Sequence, residues 1–305
     1  MSELLLSTKG LTKQYGRQKA VSRMDIHVKK GSIYGLIGRN GAGKTTFLKM
    51  VAGLASPTGG EINLFGYTGN QLKRIRSRVG CLIESPGLYG NLSAYDNLKI
   101  KCKFCGINKK GYIEEILKLV GLENTGKKKS KHFSLGMKQR LGIGLALIGE
   151  PDLLLLDEPI NGLDPQGIVE IRDMIWRLKE ERNMTIIISS HILEELAKIS
   201  TDYGIIHEGQ LLEEITQEEL MKRCSERIEI FLENPRAALV VLDRLGIENY
   251  QVVDNEHLFV FEKLEESGLL NQELVNAGIL VKEMKITNEK LETYFLGLTG
   301  GATHA

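Results

Sequence analysis

The sequence predicts an α/β fold built on a mainly parallel sheet, joined to a smaller α+β unit towards its C-terminal end. Three observations carry that expectation. Apolar runs alternate with helix-period segments through the first two thirds, where KGSIYGLIG, TTFLKMVAGL, PDLLLLDEP, IVEIRDMIWRLKEE and TIIISSH follow in that order. Strands alternating with helices pair in parallel and are covered on both faces. Leu153 to Leu156 form an uninterrupted LLLL, the pattern of a central strand with no solvent face. Beyond about residue 220 the order becomes strand, helix, strand, strand, helix, strand, that of a ferredoxin-like unit. A chain of 305 residues has room for one large domain and a smaller one.

The individual elements follow from local patterns. IYGLI reads as a buried strand and TTFLKMVAGL as the helix after it. From about residue 84 to 150 the strand signal disappears, and YIEEILKLVGL and LGMKQRLGIGLALIGE point to a mostly helical insertion. In the last third, RIEIFLE is a strand and PRAALVVLDRLG a helix with Pro235 in its first turn. YQVVDNEHLFVFEK gives two strands around a polar turn at Asp254 to Glu256. ESGLLNQELVNAG is a helix ended by Gly278, ILVKEMKI a strand, and NEKLETYFLGLTG a final helix capped by Asn288. The expected division is residues 1–220 and 221–305.

Composition excludes several classes of function. The chain holds 40 Lys and Arg against 39 Asp and Glu, a balance that argues against a polyanion-binding surface and so against nucleic acid as a partner. No apolar stretch approaches the ~20 residues of a spanning helix, and LGIGLALIG at 141–149 is broken by three glycines. MSELLLSTKG lacks the basic start and long apolar centre of a signal peptide. A cytosolic location is expected. The four cysteines are too few for a disulfide framework. Cys102 and Cys105 form a C-x-x-C, but a zinc site would need a second pair or several histidines nearby, and ordinary reduced thiols are the expectation.

The chemical signal is concentrated in Gly38-Arg39-Asn40-Gly41-Ala42-Gly43-Lys44-Thr45, which fits G-x-x-x-x-G-K-[ST] between a strand and a helix. Glycines let the backbone wrap closely, its N–H groups face phosphate oxygens, and the helix adds its positive end. Lys44 would reach the β- and γ-phosphates of a nucleoside triphosphate such as ATP, and the Thr45 hydroxyl would ligate Mg²⁺. Asp157 and Glu158 close the LLLL strand. An acidic pair there is ordinarily a solvated turn, but beside a phosphate loop Asp157 can hold Mg²⁺ through its water shell and Glu158 can polarise a water for in-line attack. His191 follows the TIIISS strand and falls at the same carboxyl edge, where such sheets bind ligands. Ser134 opens the helix LGMKQRLGIG, either as an anion site at its amino end or as a helix cap alone.

Together these elements resemble the ATP-binding subunit of an ABC transporter over at least residues 4 to 220. The resemblance implies roles residue by residue. Tyr15 in LTKQYG matches the aromatic that stacks on adenine, and GRNGAGKTT, through Thr46, is the phosphate loop. FSLGMKQ stands where the family has LSGGQ, with Leu135 in place of a glycine. DEPINGLDP holds the acids and the loop ending in Asp164, and His191 is the switch histidine. Two subunits of such proteins close head to tail, so that Ser134 and Gly136 of one cover the γ-phosphate held by the other. VGCLI resembles the strand that ends in a Mg²⁺-reaching glutamine whose loop touches the membrane subunit; here that residue is Glu84, which keeps metal ligation but loses the amide donors. With IESPGLYGNLSAYDNL and KITNEKLETYFLGLTGG, Glu84 makes the chain similar to bacitracin-resistance and lantibiotic-immunity ATPases. These drive separate membrane permeases from the inner face of the membrane. Relatives that export other drugs, lipids or ions, and soluble ABC proteins, are the competing expectations. The C-terminal unit is open between sensing a ligand, stabilising the dimer and docking the permease.

Overall fold

The computed structural model describes residues 3–287 and 291–299; Asn288, the expected cap of the last helix, lies outside them. The chain forms two compact units, Met1–Gln217 and Glu218–Ala305. Strands of the first are β1 (Leu4–Tyr15), β2 (Gln18–Met24), β3 (His27–Lys29), β4 (Ile33–Ile37), β5 (Gly59–Leu64), β6 (Val79–Leu82), β7 (Leu153–Asp157), β8 (Thr185–Ser190), β9 (Asp202–His207) and β10 (Gln210–Thr216). Its helices are α1 (Lys44–Ala52), α2 (Leu72–Ile75), α3 (Ala94–Phe104), α4 (Tyr112–Leu119), α5 (Leu135–Leu147), α6 (Pro165–Arg182) and α7 (Leu193–Ala197). In sequence, α8 (Gln217–Arg223) begins on the last residue of the first unit and continues into the second.

The main sheet has the order β10-β9-β4-β8-β7-β6. Pairings from β9 to β6 are parallel, and β10 returns antiparallel on β9. Every residue of β4, β7 and β8 is buried, which is why their sequences are rich in Leu and Ile without polar alternation. Beneath them α1 contributes Phe47, Leu48 and Val51 to a core shared with Leu36, Leu155 and Ile187. Burying each such side chain stabilises the fold by about 1.5–3 kcal/mol. A second, antiparallel sheet runs β2-β1-β3, with β5 also on β1. The sequence reading did not single it out, because β1 alternates buried and exposed residues and carries no continuous apolar run.

The expected helical insertion is present: α3, α4 and α5 lie between β6 and β7. Tyr112, Ile116 and Leu117 of α4 face inward, at helical spacing. In the first unit, three of the described helices start on side-chain caps: Ser93 accepts from Asp96 N, Ser134 from Met137 N and Asp164 from Gly167 N. No helix among the described residues is long and apolar enough to cross a membrane.

The second unit contains β11 (Arg227–Leu232), α9 (Pro235–Arg244), β12 (Tyr250–Val252), β13 (His257–Val260), α10 (Ser267–Asn276), β14 (Val281–Thr287) and α11 (Leu291–Leu298). Its sheet is antiparallel throughout, in the order β12-β13-β11-β14. With α9 joining β11 to β12 across the intervening β13, this is a split β-α-β arrangement. Ile228, Ile230, Leu232, Val241, Leu242 and Leu258 belong to its own core.

Candidate nucleotide site

At the carboxyl end of β4 the chain enters a loop that only glycine can form at two points. A Cβ on Gly38 would lie 2.6 Å from the Ile206 carbonyl oxygen, and Gly43, at φ +104°, would place one 2.4 Å from the Ala20 oxygen. Gly43 also precedes α1 without a side-chain cap, so the first amides of that helix face the loop. There a cavity of about 460 Å³ is lined by Gln18, Lys19, the stretch Asn40-Gly41-Ala42-Gly43-Lys44-Thr45-Thr46, Glu158 and Glu208. Uncapped helix amides, a glycine backbone with no Cβ in the way and a lysine make a fit for a polyphosphate.

Lys44 is buried at 5% exposure, and its ammonium donates to the carbonyls of Gly38 at 2.6 Å and Arg39 at 3.3 Å. It also lies 3.2 Å from Glu158 Oε1, close enough for an ion pair but not aligned as a hydrogen bond. Glu158 sits at φ +48°, an unusual backbone for a residue with a Cβ. Its other oxygen, Oε2, is 2.8 Å from His191 Nδ1. Asp157, 6% exposed, accepts from the Thr45 hydroxyl through Oδ2 at 2.8 Å and from the Ser189 hydroxyl through Oδ1 at 2.7 Å. The Glu158 amide in turn donates to Ser189 Oγ at 3.0 Å and to the Ser189 carbonyl at 3.2 Å. Thus Lys44, Thr45, Asp157, Glu158 and His191, chosen from sequence, are joined by direct contacts.

Other expected residues stand further out. Tyr15 is half exposed at the end of β1, in register with Gln18; it does not line the cavity, and Lys13 Nζ lies 4.8 Å from its ring centroid. Glu84 follows β6 at φ +66°, with Oε1 2.5 Å from Lys49 Nζ of α1. That hydrogen bond is the main cause of an upward shift in the Lys49 amine's pKa. Ser134 and Gly136 do not line the cavity. Leu135, standing for the family glycine, reaches the next turn instead: its Cδ2 is 3.4 Å from where a Cβ on Gly162 would be. Asp164 caps α6 with Oδ1 3.0 Å from Gly167 N.

Among the described residues no group of three or more His, Cys, Asp or Glu side chains could hold a metal. The hydroxyl of Thr45 and the carboxylate of Asp157 nevertheless form an all-oxygen pair, and a hard cation such as Mg²⁺ takes just one or two protein oxygens when phosphates supply others. Sequence reasoning gave no role to Ser189 or Lys49. The first is signalled only once β7 and β8 pair in parallel, which sets Asp157 opposite Ser189; the second is 35 positions from its partner, with no local pattern to reveal it.

Comparison with known proteins decides the family. The model of the ABC transporter family matches residues 21–161, and the bacitracin transport ATP-binding protein BcrA of Bacillus licheniformis is 47% identical over 302 residues, covering 98% of each chain. The chain belongs to the ABC transporter ATP-binding subunits. This ABC ATPase is also 46% identical over 208 residues to the lantibiotic transport ATP-binding protein SrtF of Streptococcus pyogenes, a match that spans 68% of this chain and 89% of that one. Among solved structures, an ATP-binding subunit of an ABC transporter superposes with a TM-score of 0.62 at 30% identity, over 72% of this chain and 92% of that one. A dimeric ATP-binding cassette in a post-hydrolysis state, bound to ADP and phosphate, has the same fold, with a TM-score of 0.63 at 24% identity over 70% of this chain and 98% of the other. As a member of the family, the ABC ATPase binds ATP and hydrolyses it in support of transport, a task such subunits perform in pairs with membrane permeases.

Proposed function

We propose that this ABC ATPase powers a separate permease that exports peptide antibiotics of the bacitracin or lantibiotic class, conferring resistance or immunity. The observation that carries this reading is the likeness to a bacitracin transport subunit over 98% of both chains, the C-terminal unit included. Residues 1–220 form the nucleotide-binding domain and residues 221–305 an accessory domain, and the protein as a whole is held on the inner face of the membrane through the permease.

The roles at the site follow from its contacts. Amides from Gly38, Arg39, Asn40, Gly41, Ala42, Gly43 and Thr46 cradle the phosphates of ATP, while Lys44 turns from its carbonyl partners to the β- and γ-oxygens. Tyr15 stacks on adenine. Thr45 and Asp157 are the residues that would hold Mg²⁺, with Glu84 as a further oxygen ligand when released from Lys49, and the ion would neutralise charge on the β- and γ-phosphates. Glu158 is the general base: its carboxylate takes a proton from the attacking water as the bond between the γ-phosphorus and ADP breaks. His191, held on Glu158 Oε2, keeps the γ-phosphate and water in line. Ser134, Gly136 and Asp164 of a second copy complete the site in an ATP-sandwich dimer.

The test is susceptibility. The chain is expressed with its neighbouring permease genes in a sensitive bacterium, beside a Glu158→Gln control, and bacitracin, several lantibiotics and an unrelated drug are titrated. Protection against the peptides that vanishes in the control is expected. Full assembly without peptide protection would move the cargo to another drug, a lipid or an ion and leave the ATPase reading standing.

A further inference from the structure

We infer that Ser189 is a positioning residue of the ATPase site, whose single hydroxyl proton fixes the Asp157 carboxylate and whose lone pair fixes the Glu158 backbone. This deepens the reading of Asp157 and Glu158 given above and rests on it. Asp157 and Ser189 are paired residues on adjacent parallel strands. Ser189 is fully buried, so no water competes for its hydroxyl. A serine hydroxyl has one proton to give and two lone pairs to receive with. Asp157 Oδ1 has no proton to offer when ionised and takes that proton at 2.7 Å. The Glu158 amide can only donate, and it does so to the same oxygen at 3.0 Å. The rotor therefore has one orientation.

The consequence is a continuous series of directed bonds that links helix α1 to the ends of β7 and β8. Thr45 donates to Oδ2 of Asp157, Ser189 donates to Oδ1, and Glu158 N donates back to Ser189. Both carboxylate oxygens of Asp157 are thus occupied from opposite sides, which fixes its rotation about the last side-chain bond. Glu158 is held in a left-handed conformation that its own side chain disfavours, and the bond to Ser189 secures the turn that carries its carboxylate to His191. Ser189 touches no substrate in this arrangement. It acts through the two acids beside it.

Removing the hydroxyl leaves Asp157 Oδ1 buried without its donor and Glu158 N with the Ser189 carbonyl alone. For the Ser189→Ala chain, kcat is expected to fall about tenfold, as for the loss of a hydrogen bond worth ~1.4 kcal/mol, with the KM for ATP changed less than twofold. The Mg²⁺ concentration that half-saturates the gain in melting temperature produced by ATP should rise several-fold. This thermal readout is independent of turnover. Ser189→Thr and Ser189→Val form a second pair of equal volume that differ only in the hydroxyl; Thr should recover most of kcat and metal dependence, and Val should not. Native kcat and Mg²⁺ dependence in Ser189→Ala, or equal behaviour of Thr and Val, would overturn the inference. A Glu158→Gln chain measured alongside separates this from the wider reading: native turnover in that variant would overturn the assignment of the acids themselves, and Ser189 with it.

Discussion

Two acid–lysine pairs sit at the two ends of α1, and their contrast shows what burial does to one chemical motif. Glu158 follows β7 and Glu84 follows β6; both are non-glycine residues with positive φ, at +48° and +66°. Each meets a lysine of the same helix, Lys44 at 3.2 Å and Lys49 at 2.5 Å. The shorter contact is also the more exposed one. Lys49 and Glu84 have side chains 31% and 65% exposed, whereas Lys44 and Glu158 are at 5% and 21%. Water screens the outer pair, so it contributes at most about 1 kcal/mol. The inner pair has lost most of its water and is satisfied only by specific partners, the Gly38 and Arg39 carbonyls and His191.

Breaking the inner pair should produce the largest effects. Glu158→Gln is expected to slow ATP hydrolysis by about a hundredfold to ten-thousandfold, the usual value of a general base, while ATP binding persists and closed dimers accumulate on gel filtration. Turnover at the native rate would remove Glu158 from the mechanism. Lys44→Ala should lower hydrolysis by about a hundredfold or more and, unlike the first variant, weaken nucleotide binding measured by fluorescence titration.

The outer pair should respond on a smaller scale and in a graded manner. Glu84→Gln keeps an oxygen for metal or for Lys49, so it should retain most activity, and Glu84→Ala, which removes that oxygen together with the ion pair, should lose about fivefold or more. Equal loss in both variants would show that the charge, not the oxygen, matters. The smallest effect concerns pH and salt. The Lys49 amine is raised by its bond to Glu84, so the pair's stabilisation is complete below the ordinary lysine value near pH ~10.4 and is lost as pH rises through the elevated one. Melting curves should show a difference between native and Lys49→Met chains that fades at high salt even at neutral pH.

Much of the inner site was legible because its residues belong to short, dense signals. Gly38 to Thr45 is a contiguous string, and Asp157, Glu158 and His191 terminate strands whose apolar runs cannot be mistaken for loops. The same holds for β11 to β14, where turn residues such as Asp254 and Gly278 punctuate clear apolar segments. What stayed hidden is what pairing creates. Ser189 becomes significant only when β8 lies beside β7, and Lys49 only when the chain after β6 returns over α1. The antiparallel sheet of β1, β2, β3 and β5 was unread for a related reason: its strands have one wet face, and Lys and Thr interrupt the apolar pattern. Tyr15 was expected near adenine from resemblance, and in the structure it stands at a hairpin end beside the cavity residue Gln18 rather than in the cavity wall.

The beginning of α1 has a consequence for the folding equilibrium of the first unit. Helices α3, α5 and α6 each supply a serine or aspartate to their own first amides, whereas α1 starts after Gly43 and supplies nothing. Its amides are completed by whatever anion the loop receives, so nucleotide acts as the missing terminus of a core helix. By mass action, ligand at a hundred times its dissociation constant adds about 2.7 kcal/mol to the stability of the folded state. Because Phe47, Leu48 and Val51 of that helix lie in the main core, the gain is felt by the packed sheet as well as by the loop. ATP is therefore expected to raise the melting temperature of the whole first unit, not of the loop alone.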